Sequence, residues 1–331
     1  MMKKKFYLPL LCLLLILAAA LPAEAAVNAV PSSVKVKVDQ KKVAVRAYNI
    51  DGANYFKLRD VAMALKNSTK SFNVSWNNTT KSIALTKGQK YRPVGGELSP
   101  DLPAITSIAP SEAGLILDEV PVELTVYTIN GNNYFKLRDL CALLEIGVTY
   151  SAEENQIQLR TDMDYIRSAF LELADKDPNE YQFVQVHNSK YLYSVELPAI
   201  LAGLPLNHAG DGLTVYDDSD KDHTSYSNLS VFAGYNVLDQ TLEEAAQGLL
   251  SYIPNIDKEL LSITPISVKG AQAAYKLNYV GEYYIQAVIA KKNDAFYYLT
   301  YHCGNFNLID SRFLPVLSDL YSRMEESLTI Y

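Results

Sequence analysis

The chain has 331 residues, enough for about two domains at roughly 100–200 residues each. Its 49% apolar content excludes general disorder, and 15 Gly and 14 Pro are too few for a collagen-like repeat, as 3 Cys are for a disulfide-stapled scaffold. A net charge of −7 argues against nucleic acid as a partner, because phosphates demand a basic face.

Lys3, Lys4 and Lys5 precede an apolar run from Phe6 to Leu21, which Pro22 breaks ahead of Ala23-Glu24-Ala25. This is the pattern of a signal peptide over residues 1–25, cleaved near Ala25 to give a secreted product with a possible place in the cell wall. The run falls short of the ~20 residues a membrane helix needs. Losing three lysines and one glutamate takes the net charge from −7 to −9. The mature chain is expected to have no membrane span.

An internal repeat follows. The segment Tyr48 to Leu65 reappears as Tyr127 to Leu144, with eleven of eighteen positions identical at an offset of 79. Downstream the offset falls to 74, where Val74-x-Trp76 matches Val148-x-Tyr150 and Ile83-x-Leu85 matches Ile157-x-Leu159. Each copy (about 34–86 and 113–160) reads β-β-α-β-β. Val34–Val38 and Val43–Tyr48 alternate around a polar turn. Asp51-Gly52 and Asn130-Gly131 are tight-turn dipeptides. Leu58, Val61, Ala62 and Leu65 form one helix face, as do Leu137, Leu140, Cys141 and Leu144. The hairpin over Phe72–Trp76 and Ile83–Leu85 closes the first unit. Residues 87–112, rich in Pro and Gly, read as the connector.

The paired Asn-Tyr-Phe-Lys-Leu-Arg-Asp segments (54–60 and 133–139), the Val-x-Trp/Tyr hairpins and Lys90-Tyr91-Arg-Pro-Val-Gly-Gly-Glu97 resemble the copper amine oxidase N-terminal-like stalk domain of secreted bacterial proteins. The resemblance covers about residues 34–165 and implies an α+β stalk module over 26–161. It does not imply an oxidase. That active site needs three His ligands and a Tyr in an Asn-Tyr-Asp/Glu context, whereas this chain has only His187, His208, His223 and His302, with no His-x-His pair. The Asn-Tyr dipeptides at 54, 133 and 278 lack the acidic follower. No cofactor and no metal are expected.

The duplicated segments offer Tyr55, Lys57, Arg59 and Tyr134, Lys136, Arg138 as a symmetric set of binding residues. The structural reading is that Asp60 and Asp139 complement the dipole of a first helical turn, with the cations solvated or paired. The acidic run Asp217 to Asp222 has the alternate carboxylates of a calcium loop. It places His223 where that loop wants Gly and Leu229 where it wants Glu, so it reads as a solvated loop. His302-Cys303 lacks a second ligand cluster, and a packed thiol explains it more simply than a nucleophile pair. Cys141 and Cys303 read as two separate buried thiols.

In the second half, a linker helix over 162–178 leads into a domain over 179–331. Strands are expected at Tyr191–Leu197, Leu213–Tyr216, Leu229–Tyr235, Ala271–Val280, Tyr283–Lys291 and Ala295–Cys303. A helix capped by Thr241 and Glu244 and a final helix over about Ser311–Ser327 accompany them. Tyr193-Ser-Val-Glu-Leu-Pro198, Gly210-Asp-Gly212, Thr241-Leu-Glu-Glu244 and Ala295-Phe-Tyr-Tyr-Leu-Thr300 resemble the PsbP/Mog1-like fold, which implies an α/β/α sandwich with a mainly antiparallel sheet. The expected class is therefore α+β throughout.

Together these features predict a secreted or cell-surface, non-catalytic binding or scaffold protein, its stalk module presenting a ligand- or partner-binding domain, its partner a cell-wall component or a surface protein. The alternative is an extracellular enzyme of unrecognised type, using Cys303 and His302.

Overall fold

Asp51 and Gly52 sit at φ 50° and 84°, and Asn130 and Gly131 at 49° and 74°. Two successive positive φ values match the right-handed twist of the flanking strands, so each dipeptide closes a tight hairpin. The computed structural model, which describes residues 27–204, 212–217, 227–251, 257–281, 283–303 and 311–331, builds its first half on this pair. Strand Ala47–Ile50 folds onto Ala53–Lys57, and Val126–Ile129 onto Asn132–Lys136. The hairpins then join through Ala53–Lys57 and Asn132–Lys136, antiparallel, with Phe56 opposite Phe135. Those phenylalanines are equivalent positions of the repeat, so a local twofold axis passes between them. Ala29–Pro31 and Ile108–Pro110 complete a six-stranded sheet at its two edges.

The two copies exchange strands. Lys35–Val38 of the first pairs in parallel with Gln156–Arg160 of the second, and Gly114–Leu117 of the second pairs in parallel with Ser82–Lys87 of the first. Each of the two four-stranded sheets therefore contains both copies. The β-β-α-β-β reading undercounts each copy, which supplies six strands and one helix, with Ala29–Pro31 or Ile108–Pro110 added just upstream.

Helix α1 (Leu58–Leu65) and helix α2 (Leu137–Leu143) follow directly on the central strands, each with an aspartate in its first turn and no side-chain cap. Leu58, Val61, Ala62 and Leu65 are buried, as are Leu137, Leu140, Cys141 and Leu144. The other face of the six-stranded sheet carries Tyr48, Tyr55 and Tyr134, packed under Leu102 and Ile105 of the connector. The Tyr48 hydroxyl donates to the Pro103 carbonyl at 2.6 Å. The connector is thus a strap over an aromatic face.

Helix α3 (Tyr165–Ala174) lies within the expected linker region, yet it is core. It packs on strand Gly147–Ser151, and its Phe170 ring meets Tyr216 at 4.8 Å and Phe313 at 5.6 Å. One apolar cluster runs from Val36 through Phe56 and Phe170 to Leu320. Beyond it, Phe183–Asn188, Tyr193–Pro198 and Thr329–Ile330 form a three-stranded sheet. An antiparallel sheet of six follows in the order Gly212–Asp217, Ser227–Tyr235, Ala295–Cys303, Tyr284–Lys292, Ala273–Val280 and Leu261–Ile266. Helix α4 (Leu242–Gly248) lies on Ala273–Val280 and Tyr284–Lys292. It starts with a capping box in which the Glu244 amide donates to Thr241 Oγ1 at 3.1 Å and the Thr241 amide to Glu244 Oε2 at 2.7 Å. Helix α5 (Phe313–Ser327) packs against Tyr193–Pro198 and Ala295–Cys303.

The expected α+β class, with an α/β/α sandwich in the second half, is corrected here. The described residues form a mainly β structure of five sheets and five helices. The physical reason is length: α4 has only 7 residues and cannot form a layer over six strands.

Candidate functional site

The central antiparallel pair places a cleft at each of its ends. The larger, about 350 Å³, is lined by Gly52, Ala53 and Asn54 of the first copy and by Lys136, Leu137, Arg138, Val148, Tyr150 and Ile157 of the second. The smaller, about 190 Å³, is lined by Gly131, Asn132 and Asn133 of the second copy with Lys57, Leu58, Arg59, Val74, Ser75, Trp76 and Ile83 of the first. Residue for residue, apart from Ser75, these are the same positions of the repeat exchanged across the local twofold. Each cleft thus joins a tight turn from one copy to a helix start and hairpin from the other. Each also holds one aromatic side chain in the open: Trp76 is 45% exposed and Tyr150 47%. Asparagines from their own hairpins hold both. Trp76 Nε1 donates to Asn78 Oδ1 at 3.0 Å, and the Tyr150 hydroxyl to Asn155 Oδ1 at 3.2 Å.

The six expected binding residues divide. Lys57 and Arg59 line the smaller cleft, Lys136 and Arg138 the larger. Tyr55 and Tyr134 do not join them: both are buried on the far face, edge-on to Tyr127 at 5.2 Å and to Tyr48 at 5.4 Å. Burial accordingly raises both phenol pKa values. The strap, through Leu102 and Ile105, covers the face on which both tyrosines lie. Trp76, Tyr150, Asn54 and Asn133 were not singled out as site residues. The signal for the aromatics lay in the hairpin pattern, where an aromatic stands at matching positions of both copies.

The cations are held by carboxylates. Lys57 Nζ lies 3.8 Å from Asp60, and Lys136 Nζ 3.5 Å from Asp139. Burial raises the pKa of both aspartates, with the adjacent lysines opposing it. Arg138 Nη2 donates to Glu172 Oε2 at 2.9 Å, and Lys176 reaches the same carboxylate at 2.9 Å. Burial would raise the Glu172 pKa, but Arg138 and Lys176 outweigh it and hold it below the usual range.

Arg59 has a different neighbour. Its Nη1 donates to the Tyr91 hydroxyl at 3.2 Å, which donates to Glu97 Oε1 at 2.7 Å. Glu97 also accepts from the Val94 amide at 2.7 Å and the Gly95 amide at 3.0 Å, closing a loop in which Gly95 and Gly96 sit at φ 100° and 77°. The segment Lys90–Glu97 is therefore a loop knot beside the smaller cleft. Desolvation alone would raise the Glu97 pKa, yet these hydrogen bonds bring it down to about 2.

A carboxylate with a lowered folded-state pKa stabilises the fold above its unfolded value, and that contribution is lost as pH falls through the folded value. Glu97→Gln is expected to cost about 1 kcal/mol at neutral pH, allowing for solvent screening of a partly exposed group. The difference from the parent should shrink as pH falls from about 4.5 toward 2. Urea unfolding at pH 7 and pH 2.5 measures it; an equal deficit at both would rule out the charged knot.

Cys303 and His302, the residues of the enzyme alternative, are buried, and Tyr283 stacks on the His302 ring at 6.0 Å. Burial pushes the imidazole pKa down to about 4, so it is neutral at pH 7. Cys141 and Cys303 are both buried and are not bridged to each other. Among the described residues no group of three or more His, Cys, Asp or Glu is arranged to hold a metal ion, and no helix is long and apolar enough to cross a membrane. The expected signal peptide over residues 1–25, His208, the Gly210-Asp211 dipeptide and the acidic loop beyond Asp217 lie outside the described residues.

No protein-family model matches the chain, the copper amine oxidase N-terminal-like domain included, and no curated protein matches it. Among solved structures the chain is similar to cyanobacterial PsbP (CyanoP) from Synechocystis sp. PCC 6803, seen in a solution structure. The match covers 47% of this chain and 96% of that one at 11% identity, with a TM-score of 0.28. The likeness is to a PsbP-like fold, at a distance that carries no functional weight.

Proposed function

We propose that the protein is a secreted or cell-surface binding and scaffold protein without catalytic activity, whose duplicated half meets a cell-wall component or surface protein. The observation that supports this reading is the pair of clefts. A duplication that exchanges strands produces two equivalent sites, each with an exposed aromatic, an asparagine and a carboxylate-paired lysine. Aromatic faces with a few fixed polar groups suit recognition of partners that are apolar on one side and hydrogen-bonding on the other. Lys57, Lys136 and Arg138 are neutralised in place and Arg59 is held by a phenol, which suits binding better than proton transfer.

Co-sedimentation of the purified protein with isolated cell-wall sacculi, at low and moderate salt, tests the reading. Pelleting that persists at moderate salt is expected, because three of the four cleft cations, Lys57, Lys136 and Arg138, are paired with carboxylates. Protein that stays in the supernatant at both salts would overturn wall attachment.

A further inference from the structure

We infer that an outward sheet face of the first half, carrying Lys35, Lys37 and Lys42, takes a phosphodiester polymer of the cell wall. This rests on the cell-surface reading proposed above for its compartment, and it uses residues that line neither cleft. The two copies of the repeat differ in charge here. Lys35 to Arg46 of the first copy carries five cations and one carboxylate, whereas the equivalent Gly114 to Thr125 carries no cation and three carboxylates. Gly114, Ile116 and Pro121 stand where the first copy has Lys35, Lys37 and Lys42.

Val36 and Val38 are buried, so Lys35 and Lys37, which alternate with them, face outward about 7 Å apart. Lys42 stands directly opposite Lys37 on the neighbouring strand and shares that face. Like charges directly opposite one another cost stability. No carboxylate relieves them. Among the described residues none of the three forms an ion pair, and Lys35 Nζ reaches only the Glu154 carbonyl oxygen, at 3.3 Å. Asp39, in the turn between the strands, is turned to Thr161, whose amide and hydroxyl donate to it at 2.9 and 2.6 Å. Lysine on an exposed edge strand guards against stray pairing, which accounts for Lys41 and Lys42. It does not account for Lys35 and Lys37, because Lys35–Val38 is an inner strand between Gln156–Arg160 and Lys41–Val43. In a chain of net charge −7, unpaired cations gathered at a cost to stability mark a place for anions.

The chemistry of the face selects phosphate. Its free cations are lysines, point charges that donate to phosphate oxygens from any direction, whereas a carboxylate is matched best by the planar fork of arginine. Arg160, on the adjoining strand, already has its fork engaged by Asp162, with bonds of 2.8 and 2.7 Å. The row through Lys42 and Lys37 continues across the sheet to Gln158 and Thr149. No aromatic side chain stands in that row for a nucleic-acid base to stack on. Successive phosphates on a flexible backbone can meet lysines spaced about 5 and about 7 Å apart.

The test uses the intact protein and end-labelled poly(glycerol phosphate), with binding read by fluorescence anisotropy. Polygalacturonate is the carboxylate comparator and oligothymidylate the base-bearing one. The polymer is expected to bind at low salt, with log K falling against log salt at a slope of about −2, since each lysine releases about 0.7 counterion. Kd should rise about tenfold in Lys37→Gln/Lys42→Gln and stay within about twofold in Lys81→Gln/Lys258→Gln, which removes the same charge elsewhere. Lys37→Gln/Lys42→Gln should also raise Tm by about 1 °C, because an opposed like-charge pair is removed. A lower Tm would mark the two lysines as structural and overturn the inference. So would an equal loss in both double variants, tighter binding of either comparator, or no binding of poly(glycerol phosphate). Binding in solution does not pass through the clefts. Protein that binds the polymer yet fails to pellet with sacculi would therefore overturn wall attachment alone, and protein that pellets but ignores the polymer would overturn this inference alone.

Discussion

Phe56→Ala is expected to destabilise the protein by about 3–5 kcal/mol, and Phe135→Ala by a similar amount. Both rings are fully buried and face each other where the halves of the six-stranded sheet meet. Truncating either leaves a cavity beside the local twofold axis, flanked by α1 and α2, that a close-packed interior cannot refill. Because each four-stranded sheet draws on both copies, the loss cannot stay within one of them. Urea unfolding followed through Trp76, the single tryptophan, should show one transition at lower denaturant for either variant. Two separated transitions, or a loss under about 1 kcal/mol, would contradict the interlocked arrangement.

Gly270→Ala is expected to be as severe, at about 4 kcal/mol, by a different mechanism. Gly270 sits at φ +84°, and a Cβ there would lie 1.8 Å from the Ile330 carbonyl oxygen. The contact is backbone against backbone, so no side chain can rotate away. Around it the Ile330 amide donates to the Lys269 carbonyl at 2.9 Å, and Thr329–Ile330 pairs with Tyr193 and Ser194. The substitution should therefore peel the last strand from the three-stranded sheet. Hydrogen exchange reads this directly: the amides of Ile330 and Tyr331 lose protection while those of Ala295–Cys303 keep theirs. Retained protection at Ile330 would contradict the close approach.

What was legible in the sequence was local. Asp51-Gly52 and Asn130-Gly131 fix their hairpins by turn chemistry, and the spacing of Leu58, Val61, Ala62 and Leu65 fixes a helix face, because both depend on neighbours in the chain. The Thr241–Glu244 capping box is local for the same reason. The partner of a strand is not local. Neither Lys35–Val38 nor Gly114–Leu117 carries anything in its own residues that says which hairpin it joins, so the exchange between copies stayed hidden. Tyr55 and Phe56 point to opposite faces of one strand, and only the strap over Tyr55 shows that both faces are covered. The fold class failed on coverage: two helical segments read as layers, yet α4 is one short element on a six-stranded sheet. The larger cleft was half legible, through Lys136 and Arg138. Asn54 and Tyr150 belong to different copies and meet only because the copies interlock.

The most direct test of the account is sacculus co-sedimentation of the intact protein carrying Trp76→Ala and Tyr150→Ala together, beside the parent. Both side chains are half exposed, so the double variant should unfold at the same temperature as the parent. The account predicts that the parent pellets at moderate salt and the folded double variant does not. Equal pelleting of the two would contradict the claim that the clefts between the repeats are where this protein meets its partner.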